Sequence, residues 1–216
     1  LQSIWGASQT TSVLPLVLGN GIYSSGGYTK LFINNIYTDF NFNKLDSSDS
    51  GITVNGAAAW QITSETTGTD TLIGFNRLEF TDGILALDID AGDTAGQAYR
   101  LYQAAFARTP DMTGVAYHMN DMEGNGLALE NVANNFIASP EFKTKYGENP
   151  SDDVFIDLLY QNVLGRSADA DGLAFYKNHF NEGTMSRAAA LIGFAESPEN
   201  ISLVAPQIEN GIWMAG

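Results

Sequence analysis

The chain has 216 residues, of which 44% are hydrophobic, so it is long enough and apolar enough to fold around one large core or two smaller ones. It carries 10 Lys and Arg against 25 Asp and Glu, which gives a net charge of -15. A surface of this charge repels nucleic acid phosphate and anionic membranes, so proteins that bind either by charge attraction are excluded. The chain has no cysteine, which excludes disulfides, thiolate zinc sites and cysteine nucleophiles.

The first ninety residues have the composition of β structure. They are rich in Thr, Ser, Asn, Gly, Ile and aromatic residues, and turn residues separate the apolar runs. Strands are predicted within the segments 28–45, 51–56, 59–65 and 68–90. Asp82-Gly83 lies between two apolar runs of the last segment and predicts a hairpin turn. We therefore predict a small β unit over residues 1–90.

After residue 90 the apolar residues recur at helical spacing. The pattern i, i+3, i+4, i+7, i+8 of an amphipathic helix is formed by Ala98, Leu101, Tyr102, Ala105 and Phe106. The same spacing recurs over 129–137 and, less completely, over 155–163, and a further helix is predicted over 185–196. Residues 91–216 are therefore predicted to form an all-helical domain. The fold class that follows is α+β, with the β unit before the helices.

The helical sequence is duplicated. "RTPDMTGVAY", from Arg108, recurs as "RSADADGLAF", from Arg166, and a shift of 58 residues aligns the two copies without a gap. Further matched pairs are Tyr102/Tyr160, Gln103/Gln161, Asn120/Asn178, Phe136/Phe194, Ser139/Ser197, Pro140/Pro198 and Glu141/Glu199. We predict two copies of one helical unit, at about 95–146 and 153–204, that superpose on each other.

The repeated phrase places one aspartate in each copy, Asp111 and Asp169. A carboxylate at this position could act as a catalytic acid, as a metal ligand or as a helix cap. Each aspartate lies between two predicted helices, where it can accept hydrogen bonds from the free N–H groups in the first turn of the following helix. Arg108 and Arg166 can pair with these aspartates or with the last carbonyls of the preceding helix. A catalytic pair of carboxylates needs two different environments, which a repeated arrangement does not provide. We therefore interpret both aspartates as helix caps.

Two further repeated features fit the same interpretation. Gly114 and Gly172 fall in the first turn of the next predicted helix, where a missing side chain lets another helix or the arginine approach. Ser139 and Ser197 each precede a proline, which is the pattern of an N-cap followed by the first helical position.

The segment "DIDAGD" contains the candidate metal site. Asp88, Asp90 and Asp93 have the alternating spacing with which carboxylates of a calcium loop converge on one cation. The bidentate Glu that completes an EF-hand loop is missing. The alternative is the end of a strand followed by a solvated, acidic helix start. Calcium is accordingly the one candidate cofactor, and both interpretations stay open.

No set of residues has the pattern of a catalytic centre. His118 and His179 are not related by the 58-residue shift, and neither a complete phosphate loop nor a Gly-x-Ser-x-Gly elbow occurs in the sequence. We therefore expect the chain not to be an enzyme. Trp5, Trp60 and Trp213 suit either a sugar-stacking surface or a buried core.

Several phrases occur together in the order typical of one known family. "AYRLYQAAFARTPDMTGVAYHM", "VANNFIASPEF", "LLYQNVLGRSADADGLAFY" and "GFAESPEN" closely resemble the bacterial domain of unknown function 4214, over about residues 91–205. The helical repeat is also distantly similar to the phycobilisome linker domain. Family members often carry Trp after the glycine loop, where this chain has Tyr117-His118 and Phe175-Tyr176.

The resemblance implies a domain of large secreted bacterial proteins, many of them similar to repeats-in-toxin exoproteins, adhesins or surface-layer proteins exported by type I secretion. The calcium-binding nonapeptide repeats of such proteins are absent from this sequence. Since the chain begins at Leu1 and not at Met, we expect a processed or excised piece of a longer protein.

We therefore expect a non-enzymatic structural or interaction module that acts in assembly, anchoring or adhesion, outside the cell or at its surface. Its expected partners are proteins or further copies of itself, with surface polysaccharide as a second class, and neither nucleic acid nor membrane insertion is expected. Two alternatives stay open, a carbohydrate- or ligand-binding module and a virion structural protein.

Overall fold

A computed structural model of the chain describes residues 22–24, 30–45 and 59–216. The chain divides into two compact units, one of residues 1–90 with 207–216 and the other of residues 91–206. A β region precedes a series of helices, so the predicted α+β fold class is confirmed. The strand predicted over 51–56 lies outside the described residues. Within the described part of the chain, no helix is long and apolar enough to span a membrane.

The described part of the first unit contains two four-stranded sheets. Its strands are β1 (Ile22–Ser24), β2 (Lys30–Phe32), β3 (Asn41–Leu45), β4 (Ala59–Ser64), β5 (Gly68–Ile73), β6 (Arg77–Phe80), β7 (Gly83–Ala86) and β8 (Ile212–Ala215). The strand orders are β1-β5-β4-β3 and β2-β6-β7-β8. The pairs β1–β5 and β2–β6 are parallel, and the other neighbouring strands pair antiparallel.

The hairpin predicted at Asp82-Gly83 is present, with its turn one residue earlier in the chain. β6 and β7 pair antiparallel with Phe80 opposite Gly83, so that Thr81 and Asp82 form the turn. A Cβ atom on Gly83 would overlap the Met214 backbone oxygen and would lie 2.6 Å from the Trp213 ring. Glycine is therefore required here because an aromatic ring from β8 packs on the backbone.

The last ten residues differ from the prediction, which placed them with the helices. Ile212–Ala215 forms β8, pairs antiparallel with β7 and belongs to the first unit. Ile212 and Met214 are buried, whereas the intervening Trp213 is half-buried. A run of four residues has too little periodicity to reveal a strand by itself, and pairing with β7 satisfies its backbone groups.

Aromatic side chains connect the two sheets of the first unit. Tyr37 stacks on Trp213 of β8, with ring centroids 4.0 Å apart, and on Phe42 of β3, at 5.1 Å. Phe80 of β6 meets the Phe42 ring edge-on at 6.0 Å. Such aromatic pairs add to the stabilisation that comes from burying their apolar area.

The second unit is built from helices, and their starts follow the duplication. They are α1 (Thr94–Phe106), α2 (Met112–Gly124), α3 (Leu129–Ala138), α4 (Pro140–Tyr146), α5 (Asp152–Leu164), α6 (Ala170–Asn181), α7 (Arg187–Ala195) and α8 (Pro198–Ile208), the last of which runs two residues into the first unit. α5 to α8 each begin 58 residues after α1 to α4, as the starts Thr94 and Asp152 show. The shift found in the sequence therefore carries over to the structure.

Contacts between the two copies close the core of the helical unit. α3 and α1 both pack against α7. The Arg100 side chain on α1 is 1% exposed, and its Nε and Nη2 atoms donate to the two carboxylate oxygens of Glu196 at 2.6 and 2.9 Å. Since Glu196 directly follows α7, this two-pronged ion pair ties the first copy to the second.

The two copies differ in the burial of their second helix. α2 buries Val115, Ala116 and Met119, whereas no residue of α6 is buried. The counterpart of Met119 is Lys177, which pairs with Asp153 at 2.8 Å. The duplicated helix is therefore part of the core in one copy and lies at the surface in the other.

Candidate functional site

The repeated phrase forms the same polar cluster in each copy, which we call the arginine network. In the first copy it consists of Tyr102, Arg108, Asp111, Gly114 and Glu141. The Gly114 N–H donates to Asp111 Oδ1 at 2.7 Å, and the Tyr102 hydroxyl donates to Asp111 Oδ2. Arg108 Nε donates to Glu141 Oε1 at 2.7 Å, and Arg108 Nη2 donates to the Tyr102 hydroxyl at 3.0 Å.

The second copy has the same residue types at these positions, Tyr160, Arg166, Asp169, Gly172 and Glu199, but there the tyrosine hydroxyl makes no hydrogen bond to the aspartate or the arginine. The Gly172 N–H donates to Asp169 Oδ1 at 2.8 Å. Arg166 Nε and Nη2 donate to the Glu199 carboxylate at 2.7 and 2.9 Å, and the guanidinium lies 5.0 Å from the centre of the Tyr160 ring. The prediction that Asp111 and Asp169 cap the helices that follow them is confirmed.

The principal partners of the arginines were not predicted. Arg108 and Arg166 bind Glu141 and Glu199 at 2.7 Å, whereas their approach to the capping aspartates is longer, at 3.5 and 3.4 Å. Each arginine therefore joins the loop after the first helix of its copy to the start of the fourth. The sequence contained a signal for these pairs, because arginine and glutamate are both repeated at the same separation in the two copies.

The network also explains why glycine is repeated. A Cβ atom on Gly114 would lie 2.7 Å from the Tyr102 ring, and one on Gly172 would overlap the Tyr160 hydroxyl. The close neighbour is a tyrosine of the first helix of the copy, so of the two predicted neighbours it is another helix, and not the arginine, that approaches the glycine most closely. Tyrosine and glycine therefore recur together, because the tyrosine occupies the space that a side chain at the glycine position would need.

The electrostatics of the two networks are alike. Hydrogen bonds from the Tyr102 hydroxyl and the Gly114 N–H lower the pKa of Asp111. The hydrogen bond from the Gly172 N–H lowers the pKa of Asp169. Both aspartates therefore stay ionised near neutral pH, and neither has the raised pKa of a general acid. The arrangement stabilises helix starts and offers no pair of unlike carboxylates for proton transfer.

Two of the three candidate calcium ligands contact cationic side chains. Asp88 is buried and pairs with Arg77, and Asp90 pairs with Lys44. Asp93 lies before α1, where its backbone oxygen accepts the Gln97 N–H at 2.8 Å. In the described ranges, no group of three or more His, Asp or Glu side chains is placed to hold a metal ion. Calcium binding at Asp88, Asp90 and Asp93 stays a prediction, and it requires Arg77 and Lys44 to be displaced.

The two histidines lie in different surroundings. The His118 ring on α2 meets the Phe136 ring edge-on at 4.5 Å, and burial lowers the pKa of His118. The His179 Nδ1 lies 2.7 Å from the Thr184 hydroxyl oxygen at the end of α6. Each histidine thus has a local packing or hydrogen-bonding role.

Two of the three tryptophans can be placed. Trp60 on β4 is 1% exposed and belongs to the core, and Trp213 is stacked on Tyr37. Trp5 lies outside the described residues. The predicted sugar-stacking surface therefore cannot use Trp60, because its ring is enclosed by the first unit.

Comparison with known proteins identifies one part of the helical unit. No curated protein matches the chain. Residues 133–204 match the family model described as domain of unknown function (DUF4214). The matched segment begins within α3 and ends within α8, so it spans the second copy and the end of the first. This match supports the presence of a DUF4214 domain over residues 133–204.

Proposed function

We propose that the chain is a non-enzymatic structural or interaction module of a secreted or cell-surface bacterial protein, where it acts in assembly, anchoring or adhesion. The observation that carries this proposal is the arginine network. Its charged groups hold helix starts and join helices in both copies, and its two aspartates have pKa values shifted in the same direction. The most prominent polar residues of the sequence are thus engaged in holding the fold together.

Composition and family support the extracellular setting. The net charge of -15 favours a soluble surface that repels nucleic acid phosphate. A chain without cysteine has no thiol that an oxidising environment could alter. The family match over 133–204 agrees with the sequence resemblance from which secretion was inferred.

Labelling of intact bacteria tests the proposed location. An antibody raised against the chain should bind cells of the producing bacterium before lysis, or detect the protein in cell-free medium. Protease added to intact cells should remove the surface signal, while a cytoplasmic marker protein stays uncut. Signal confined to lysed cells would contradict the proposal, and signal confined to phage particles would favour the virion alternative.

A further inference from the structure

The duplication preserves an exposed aromatic residue at one position. Tyr117 on α2 and Phe175 on α6 are related by the 58-residue shift, and they are 60% and 49% exposed. An exposed aromatic side chain gains little from the core of its own domain. Burial in the core therefore does not explain its presence in both copies.

Each aromatic meets the ring that follows it edge-on, Tyr117 with His118 at 5.1 Å and Phe175 with Tyr176 at 5.2 Å, whereas the burial of the helix around them differs. Next to Tyr117, the α2 residues Val115 and Met119 are fully buried. Their counterparts on α6 are Leu173 and Lys177, and neither is buried. The aromatic has stayed exposed in both copies, although the helix around it is covered in one and open in the other.

A second repeated residue accompanies each aromatic. Asn120 and Asn178 follow Tyr117 and Phe175 by three positions, a spacing that makes two side chains neighbours on a helix surface. Asn178 is exposed and Asn120 is partly exposed. Within the described residues, neither side-chain amide makes a hydrogen bond, so both keep their donors and acceptor for another molecule.

We propose that the pairs Tyr117–Asn120 and Phe175–Asn178 are two equivalent subsites for a neutral polysaccharide. The negative face of an aromatic ring attracts the C–H groups that line one face of a sugar ring. The amide beside it hydrogen-bonds the sugar hydroxyls as donor and acceptor. This inference rests on the proposed adhesive function and names the class of ligand.

Charge and symmetry select this ligand class. The net charge of -15 repels polysaccharides that carry carboxylate or sulfate groups, so a neutral chain is the better partner. A duplicated subsite also suits a ligand that repeats along its length. Binding at one subsite raises the effective concentration of the same polymer at the other, which strengthens attachment without further contacts.

Affinity electrophoresis of the full chain tests the proposal. The acidic protein is run through native gels that contain hydroxyethyl cellulose, laminarin or mannan as neutral probes and alginate as the anionic probe. We expect at least one neutral polymer to retard the protein relative to serum albumin, while alginate does not. No retardation by any neutral polymer, or stronger retardation by alginate, would overturn the proposal.

Variants assign the binding to the named residues. Tyr117→Ala and Phe175→Ala should each lower the apparent affinity for the neutral polysaccharide about tenfold or more, because the polymer is then held at one subsite only. The double variant should migrate in the polymer gel as it does in a gel without polymer. Asn120→Ala and Asn178→Ala should weaken binding, while Tyr117→Phe should preserve the stacking. Leu203→Ala removes an unrelated side chain that is 51% exposed and should change nothing.

Unfolding curves and the controls separate the alternatives. All these side chains are at least partly exposed, so the melting temperatures of the variants should match that of the wild type. Undiminished retardation of the double alanine variant, or an equal loss in Leu203→Ala, would show that binding lies elsewhere. If the protein is labelled at the cell surface but no neutral polymer retards it, the proposed location is supported and only the two subsites are refuted.

Discussion

Gly114 and Gly172 provide a test of the repeated phrase at the scale of single residues. Gly114→Ala should lower the free energy of unfolding by about 1–3 kcal/mol, because the new Cβ would lie 2.7 Å from the rigid Tyr102 ring. Gly172→Ala should cost a similar amount, since its Cβ meets the Tyr160 hydroxyl. Urea unfolding of each variant measures the change.

Two companion variants make this prediction specific. Tyr160→Phe should rescue much of the loss in Gly172→Ala by removing the hydroxyl, whereas Tyr102→Phe should not rescue Gly114→Ala, where a ring carbon is the obstacle. Gly193→Ala on α7 is the matched control, because its nearest neighbour is 3.7 Å away. There, alanine should stabilise by about 0.5–1 kcal/mol through helix propensity. A stable Gly172→Ala variant would disprove the close tyrosine contact.

His118 should make the stability depend on pH. Burial lowers its pKa in the folded chain, so the unfolded chain takes up the proton first as the pH falls. The stability is therefore complete above the ordinary histidine pKa of about 6.5 and decreases as the pH falls below it. We expect urea unfolding to show a smaller free energy at pH 5.5 than at pH 7.5.

His118→Phe should reduce this difference between the two pH values. The same change at His179, on the surface helix α6, is the matched control. The counterpart of His118 in the second copy is Tyr176, so an aromatic ring is compatible with the site. If the variant and the wild type lost equal stability between pH 7.5 and 5.5, His118 would not be the group responsible.

Between elements, the ion pair of Arg100 and Glu196 should contribute more than the repeated pairs. Glu196→Ala leaves the guanidinium of Arg100 buried without this partner, which we expect to cost about 3 kcal/mol. Glu199→Ala removes the partner of the exposed Arg166 and should cost less than about 1 kcal/mol. Denaturant unfolding of both variants under one condition gives the comparison, and equal losses would contradict the inter-copy role of Arg100.

The helices and their caps could be predicted because their signals are local. A helix shows its apolar face within a dozen residues, and a cap such as Asp111 lies three residues from the N–H it binds. The capping aspartates and the 58-residue shift between the helix starts of the two copies therefore followed from the sequence. Strand β8 did not, because its partner β7 is distant in sequence and four residues carry little pattern.

At the scale of the whole molecule, the sequence indicated the α+β fold and the helical duplication but not the asymmetry of the copies. Periodicity shows which face of a helix is apolar, and it does not show whether another element covers that face. α2 and α6 therefore looked equivalent in the sequence, whereas only α2 has buried residues. The sequence shows that Tyr117 and Phe175 occupy equivalent positions, whereas their exposure is visible only in the structure.

The proposed function depends most on Asp111 and Asp169 acting as helix caps and not as acids or metal ligands. Asparagine caps a helix as well as aspartate does, yet it can neither donate a carboxylic proton nor offer a charged oxygen to calcium. Alanine can neither cap a helix nor act as an acid or a calcium ligand. It should lower the free energy of unfolding by about 1 kcal/mol at each position. The double variants Asp111→Asn with Asp169→Asn and Asp111→Ala with Asp169→Ala therefore separate structure from chemistry.

The decisive measurement is the surface labelling of intact cells that carry these variants in the encoding gene, with the melting temperature of each purified chain as reference. We expect the asparagine pair to be retained at the surface like the wild type, and the alanine pair to be retained less, in proportion to its lost stability. An asparagine pair that melts like the wild type but is no longer retained would show that the two carboxylates act chemically, and it would contradict the structural role proposed for the arginine network.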